Sequence, residues 1–400
     1  MVPAAPPEHL PPLTPEAWEL LLLAGRLDLA PGDATRLAAL ARTALPWANL
    51  LAWGERLGAL PLLHHHLAAQ PEAAPAEVLT RLEAAYRKTS LRNLRSFALL
   101  REILAKAEAA GVPVLCLKGS VLAPDLYGDL GLRPMGDLDL LVRPADAPGL
   151  EAILAGMGAF RSPDGRRRDP AEVPASVQEV IGHGLPWFFP SVCRVEIHRH
   201  LLAEGIRDDG WLQADLWAGA RTRDLDGVPQ RGLGREHLVL HLASHLAHHL
   251  EEGAVHLYWF TDLGALLHRE GPALDRAALA ALARRLGLEA GCREVFGLLG
   301  AAWDGPGPDD ARGAFPRLAA ALSVQTVVPA GLPGLTGLGA IRRVRGLRNR
   351  VRYLGEVFLP APWKLEVAFG RSRPRPLLLL AWPWAKAWRL ARTLVRRAVG

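Results

Sequence analysis

The stretch VPVLCLKGSVLAPDLYGDLGLRPMGDLDLLV, Val112 to Val142, decides how this chain folds. It follows a helical segment from Ala76 to Ala110, rich in Ala, Leu, Glu and Arg, which Gly111 closes. At Val112 the hydrophobic period changes, and VPVLCL (112–117) reads as a short buried strand. Lys118-Gly119-Ser120 then turns the chain, VLAPDLY supplies a brief helical piece, and a Gly/Pro-punctuated loop leads to Gly136. In DLDLLV (137–142) the strand alternation returns.

Working outward, residues 145–158 read as a helix with a glycine stop, 159–192 as an irregular segment with arginines at 166–168, and CRVEIH (193–198) as another strand. Helical periodicity brackets this stretch. It runs through WELLLLAGRLDLA and PWANLLAWGERLGALPLLHHHLAA before it, and REHLVLHLASHLAHHL, VHLYWFTDLGALLH, ALDRAALAALARRLG and AGCREVFGLLGAAW after it. The fold class expected is α+β, a small mixed β-sheet core flanked by N-terminal and C-terminal helical regions. Its divisions fall at 14–110 (helical), 111–232 (α/β core), 233–325 (helical) and 326–400 (glycine-rich linker and basic C-terminal region).

The chemistry gathers on the two later strands. Asp137 and Asp139 are two residues apart, so an extended chain points both carboxylates to one face. Two like charges so placed are tolerable when solvated, when one is protonated, or when a divalent cation sits between them. Mg²⁺ suits such a pair because it takes hard oxygen ligands and is commonly shared with substrate phosphates. Glu196 offers a third carboxylate from 193–198, with His198 on its face. Three carboxylates on neighbouring strands suit two divalent ions, one activating a hydroxyl and the other stabilising a leaving pyrophosphate. The Gly119-Ser120 turn lies where helix N-terminal N–H groups face an anion. These carboxyl groups are expected to converge within about 4–6 Å beside Ser120.

LKGS (117–120), Tyr127, Arg133, GDLDLLV (136–142), VEIH (195–198), the helical order LxxHLxxHxxxH and WFTDLGALL together resemble a bacterial nucleotidyltransferase-like family of the polymerase-β-type nucleotidyltransferase superfamily. The resemblance covers about residues 40–300. It implies a Gly-Ser turn that binds NTP phosphates, here Gly119 and Ser120, and a metal-binding aspartate pair, here Asp137 and Asp139. The later acidic residue maps to Glu196. The function implied is transfer of an NMP from an NTP, taken as ATP, to a hydroxyl or phosphate of an unidentified small-molecule, glycan or protein acceptor, with Mg²⁺ or Mn²⁺ as cofactor. Asp137, Asp139 and Glu196 would be catalytic and metal-binding, and Lys118, Gly119, Ser120 and Arg133 would hold the triphosphate. The alternative is a catalytically silent accessory or scaffold protein in a cell-surface polysaccharide or specialised-metabolite pathway.

Each of these residues also has a plainer reading. Asp137 suits an ordinary strand start, although Asp139 is enclosed by leucines, where an unpartnered carboxylate is costly. Lys118 is one of five lysines beside forty-two arginines, and serves either as a flexible point charge or as a strand-end lysine. Arg133 meets phosphate or only Asp129. Glu196 and His198 form a site or a solvent-facing pair. The histidines at 237, 241, 245 and 249 share one helix face; interhelical hydrogen bonds, for example to Asp262, are the favoured use, and pocket lining is the other.

Composition limits the partners. The 400 residues carry a net charge of +6, yet residues 341–400 hold fifteen Lys and Arg against Glu356 and Glu366, +13, which leaves −7 for residues 1–340. A phosphate-tracking groove through the whole molecule is therefore not expected, and nucleic acid is an unlikely partner. Residues 384–399 read as a cationic amphipathic helix with Trp384 and Trp388, suited to peripheral contact with the inner membrane surface or to docking on the acidic body. Three widely spaced cysteines and the absence of a signal-like N-terminus fit a cytoplasmic protein. The most apolar segment, PLLLLAWPWAKAW (376–388), is broken by Pro383 and Lys386 and falls short of a membrane span.

Overall fold

The computed structural model describes residues 10–162, 186–202, 210–252, 255–301 and 311–323. The arginines at 166–168, the glycine-rich linker and the amphipathic 384–399 segment lie outside the described residues.

Four short helices open the described chain: α1 (Pro15–Ala24), α2 (Pro31–Ala41), α3 (Trp47–Leu57) and α4 (Leu60–Ala68). Thr14 caps α1, its hydroxyl accepting from Ala17 N at 3.3 Å, and Pro15 supplies a first-turn residue that needs no N–H partner. The 34-residue α5 (Ala76–Ala109) follows. The chain leaves it through Gly111 at φ 66°, a left-handed conformation that a glycine adopts without cost.

The strand after Gly111 is shorter than its apolar run. Val112 N still donates to Ala107 O at 2.9 Å, closing the helix, and Pro113 has no N–H for a ladder, so β1 covers only Leu115–Leu117. The short α6 (Gly119–Leu122) continues as a wider π turn through Ala123–Tyr127. After β2 (Asp137–Leu141) come α7 (Ala147–Gly156), β3 (Phe160–Arg161), β4 (Trp187–Phe189) and β5 (Cys193–His198). Next are α8 (Trp211–Ala218), β6 (Arg221–Leu225) and β7 (Val228–Gly232). The last two strands form a hairpin around Asp226-Gly227, both at positive φ, the backbone a two-residue hairpin turn demands.

Together the strands form one mixed seven-stranded sheet, ordered β3-β4-β5-β2-β1-β7-β6. β2 lies at its centre, antiparallel to β1 and parallel to β5. One face, carrying Cys116, Leu138, Leu140, Val195 and Ile197, packs on Leu100, Ile103 and Leu104 of α5 and Leu150 and Leu154 of α7. The other face contributes Leu115, Leu117 and Leu141 to a larger core. That core includes residues of α1 to α4, of α9 (Arg235–Glu252), α10 (Leu257–Glu270), α11 (Arg276–Leu286) and α12 (Glu289–Leu299), and of α13 (Ala311–Ser323). The architecture is α+β, a mixed sheet with helical flanks. No helix among the described residues is long and apolar enough to cross a membrane.

Candidate active site

Register brings the carboxylates together. β2 and β5 run parallel with Asp137 opposite Arg194, Asp139 opposite Glu196 and Leu141 opposite His198. Facing residues on adjacent strands lie under about 5 Å apart on the same side of the sheet. Asp137, Asp139, Arg194, Glu196 and His198 therefore share the face that looks toward the large helical core. On the other side of β2, Leu117 pairs with Asp139, which puts Lys118 at the strand end beside that carboxylate.

Lys118 turns the chain at φ 51° and ψ −125°, a strained conformation for a residue with a side chain. Its ammonium donates to Asp139 Oδ1 at 3.1 Å. His198 Nε2 donates to the same oxygen at 2.8 Å. Burial alone would raise the Asp139 carboxyl, but Lys118 and His198 outweigh it and hold the group well below the usual carboxylate range. Burial likewise opposes the Lys118 charge, and the Asp139, Asp137 and Glu196 carboxylates overcome it and raise the lysine.

Asp137 is held differently. Its Oδ2 accepts from Arg194 Nη2 at 2.6 Å and Nε at 3.2 Å, and Arg194 Nε also lies 3.4 Å from Glu196 Oε1. Burial and the neighbouring Asp139 and Glu196 charges push the Asp137 carboxyl up, against Arg194 and Lys118. The donor atoms that converge most closely are those of Asp139, Glu196 and His198, all within 4.8 Å of one another. Among the described residues this is the one such group able to hold a metal ion, and Asp137 stands outside it.

The turn expected at the phosphates is built tightly. Ser120 is buried, its hydroxyl donating to Leu117 O at 2.8 Å while its carbonyl accepts from Gln230 at 2.9 Å. Gly119 is required by close approach: a Cβ there would stand 2.1 Å from Arg133 Nη1 and 3.0 Å from Met135 Cγ. Arg133 does not pair with Asp129, the plainer of its two expected partners. It is buried, with Nε 2.9 and 3.1 Å from the two Asp262 oxygens and Nη2 2.7 Å from Asp262 Oδ2. Asp129 instead accepts from Tyr86 and from Gly131 N. A guanidinium placed among apolar side chains needs a buried counter-ion, and α10 supplies it.

For the histidine ladder on α9 the expected interhelical hydrogen bond does form, between His237 and Asp215 of α8, but Asp262 is not its partner. Asp262 takes Arg133 and the Tyr127 hydroxyl, at 2.8 Å, so no histidine reaches it. His237 contacts Asp215 at 3.1 Å instead, and His245 and His249 set their rings against Trp259, each with centroids 4.8 Å apart. His241 is buried, and its Nε2 has no hydrogen-bond partner. Burial, with Lys118 and His198 adding to it, pushes this imidazole down to about 3, so it stays neutral beside the carboxylates.

One site residue, Arg194, stands in the alternation of CRVEIH without a role expected for it. Arg194, Glu196 and His198 sit at i, i+2 and i+4, so the strand that offers the carboxylate also offers its flanking cation and imidazole. The position of His241 depends on the packing of α9 over the sheet and carries no local signal.

The arrangement is a carboxylate face with an adjoining tight turn, able to bind a divalent cation and an anionic substrate side by side. No curated protein and no solved structure matches the chain. A family model described as uncharacterised nucleotidyltransferase matches residues 43–303, which span the sheet, the turn and the helices over the site. With that match covering well over half its length, the chain belongs to this nucleotidyltransferase family.

Proposed function

We propose that the protein transfers an NMP from an NTP, ATP in the first instance, to a hydroxyl or phosphate of an acceptor. The observation that carries the reading is the convergence of Asp139, Glu196 and His198 within 4.8 Å beside Lys118 and the Gly119-Ser120 turn. Asp139 and Glu196 hold a divalent ion, Mg²⁺ or Mn²⁺, with Asp137 at the rim. When bound, the cation neutralises charge on the triphosphate and on the departing pyrophosphate. Gly119 and Ser120 receive the phosphates, and Lys118, held at Asp139, presents its charge beside them. Arg133 acts as a positioning residue, holding the turn against α10 through Asp262.

The acceptor oxygen attacks the α-phosphorus and forms the new P–O bond. The bond from the α-phosphorus to the bridging oxygen breaks, and pyrophosphate leaves with that electron pair. The acceptor proton passes to Glu196. Positioning and charge neutralisation carry the chemistry, so no covalent nucleophile is required. Three free thiols, two of them buried, fit a reducing cytoplasmic setting.

A second reading is favoured by one observation. Lys118 and Arg194 already neutralise Asp139 and Asp137, which suits a scaffold that binds nucleotide without turning it over. Calorimetric titration with ATP and Mg²⁺ or Mn²⁺, on wild type and Asp139→Ala, tests both. Binding unchanged by the substitution would sink the site assignment. Binding without pyrophosphate release against any acceptor pool would select the scaffold.

A further inference from the structure

The converging donors differ in kind from an all-oxygen cradle. Of Asp139, Glu196 and His198, one is an imidazole. Mg²⁺ prefers oxygen ligands in near-octahedral geometry and gives up water reluctantly, whereas mixed imidazole and carboxylate sets suit Zn²⁺, Fe²⁺ and Mn²⁺. All three side chains are largely shielded from solvent, at 4%, 15% and 12% exposure, as a site that strips water from its ion requires.

A second ion has little left to bind. Asp137 would have to bridge through Oδ1 alone, because its Oδ2 receives both Nη2 and Nε of Arg194. The Lys118 ammonium lies 3.1 Å from Asp139 Oδ1, on the other flank. Two protein cations already stand beside the carboxylates that a metal pair would share, and like charges at this range exclude one another.

A separate observation comes from the helical side. His241 Nε2 is a buried nitrogen with no hydrogen-bond partner, on a side chain that is 5% exposed and feels the charges of Lys118, His198 and Asp139. Leaving such a group unpaired is costly, and orphaned buried polar atoms in folded proteins commonly mark a missing water or ligand. A water carried on an ion at Asp139 would supply the partner.

From these contacts the geometry points to a single borderline divalent ion of the Mn²⁺ and Zn²⁺ class, held by Asp139, Glu196 and His198, in place of an Mg²⁺ pair. Lys118 and Arg194 provide the second positive charge permanently. His198 ligates through Nε2 with its proton carried on Nδ1, exchanging its hydrogen bond to Asp139 for the ion. This inference rests on the reading above only for the place of the site, because it is tested without nucleotide.

The experiment titrates the full chain with Mn²⁺, follows free Mn²⁺ by electron paramagnetic resonance, and then adds Zn²⁺ or Mg²⁺ as competitor. One Mn²⁺ per chain is expected, displaced by Zn²⁺ at comparable concentration and retained against roughly tenfold more Mg²⁺. His198→Asn should weaken Mn²⁺ by about tenfold or more and leave Mg²⁺ nearly unchanged, which separates ligation from general charge. Lys118→Met, which removes a competing cation 3.1 Å from Asp139 Oδ1, should tighten Mn²⁺ binding, and it keeps the test decisive if the histidine variant does not fold. Two Mn²⁺ per chain, equal competition by Mg²⁺, an unchanged Mn²⁺/Mg²⁺ ratio in folded His198→Asn, or unchanged Mn²⁺ affinity in Lys118→Met would each overturn the inference. ATP binding is measured separately, so a failed metal assignment and a failed nucleotide site give different results.

Discussion

Asp262→Ala removes the residue that ties the Gly119-Ser120 turn, through Arg133, to the helical side. Asp262 is fully buried and accepts from Arg133 at 2.7, 2.9 and 3.1 Å and from the Tyr127 hydroxyl at 2.8 Å. The Arg133 side chain is itself only 4% exposed and stacks 5.1 Å from the Tyr258 ring centroid, so water cannot readily take the place of the carboxylate. Removing one partner of such a buried pair costs about 3–5 kcal/mol, because the remaining charge stays buried without compensation. The orphaned Tyr127 hydroxyl adds about 1–3 kcal/mol. These terms share part of their desolvation, so the expected loss is about 4–6 kcal/mol. Replacing both charges, in Arg133→Met/Asp262→Leu, should recover most of that loss, since an apolar pair of similar volume escapes the desolvation cost. Urea unfolding followed by tryptophan fluorescence measures the cycle. A loss under about 1 kcal/mol in Asp262→Ala, or a double variant no more stable than the sum of the singles, would refute the argument that Asp262 is the main compensation for this buried charge.

Other predictions follow from the same contacts. Gly119→Ala drives a methyl to within 2.1 Å of Arg133 Nη1, and should cost about 1–3 kcal/mol and weaken ATP binding in calorimetry. His66 and His256 are pushed down to about 4 and His241 to about 3, in each case by burial first. The unfolded chain protonates these rings near pH 6.5, so their contribution is fully present above that pH and is lost as pH falls toward 4 and 3. Stability measured by urea midpoint should therefore decline already between pH 6.5 and 5, and a flat profile there would contradict the burial argument. Burial raises the thiols of Cys116 and Cys193 to about 11 and of Cys292 to about 12, so all three should react with Ellman's reagent far more slowly in the native than in the denatured protein at pH 8.

Much of the sheet's centre was legible because its signals are local. Cys193–His198 forms a strand over the full CRVEIH run, and DLDLL does so from Asp137, since alternation of apolar and polar side chains is itself the mark of a half-buried strand. β1 came out shorter than VPVLCL because Pro113 lacks a donor and Val112 remains bonded to the helix behind it. The hairpin of β6 and β7 escaped notice although Asp226-Gly227 carries its turn signal, because RTRDL and VPQRG have little hydrophobic pattern. Phe160-Arg161 and Trp187–Phe189 are too short for any period to register.

The amino-acid order by itself determined which side chains share a strand face. Asp137 with Asp139, and Arg194 with Glu196 and His198, follow from a two-residue repeat that any extended chain obeys. It also determined the Lys118-Gly119-Ser120 turn between strand and helix. Only the tertiary structure decided who meets whom. The parallel register of β2 and β5 sets Asp139 against Glu196, the antiparallel register of β1 brings Lys118 to the same carboxylate, and the packing of α10 claims Arg133 for Asp262. Register and helix docking are settled by the whole buried surface at once, so a residue's partner across 129 positions of chain, as for Arg133 and Asp262, leaves no trace in the residues on either side of it.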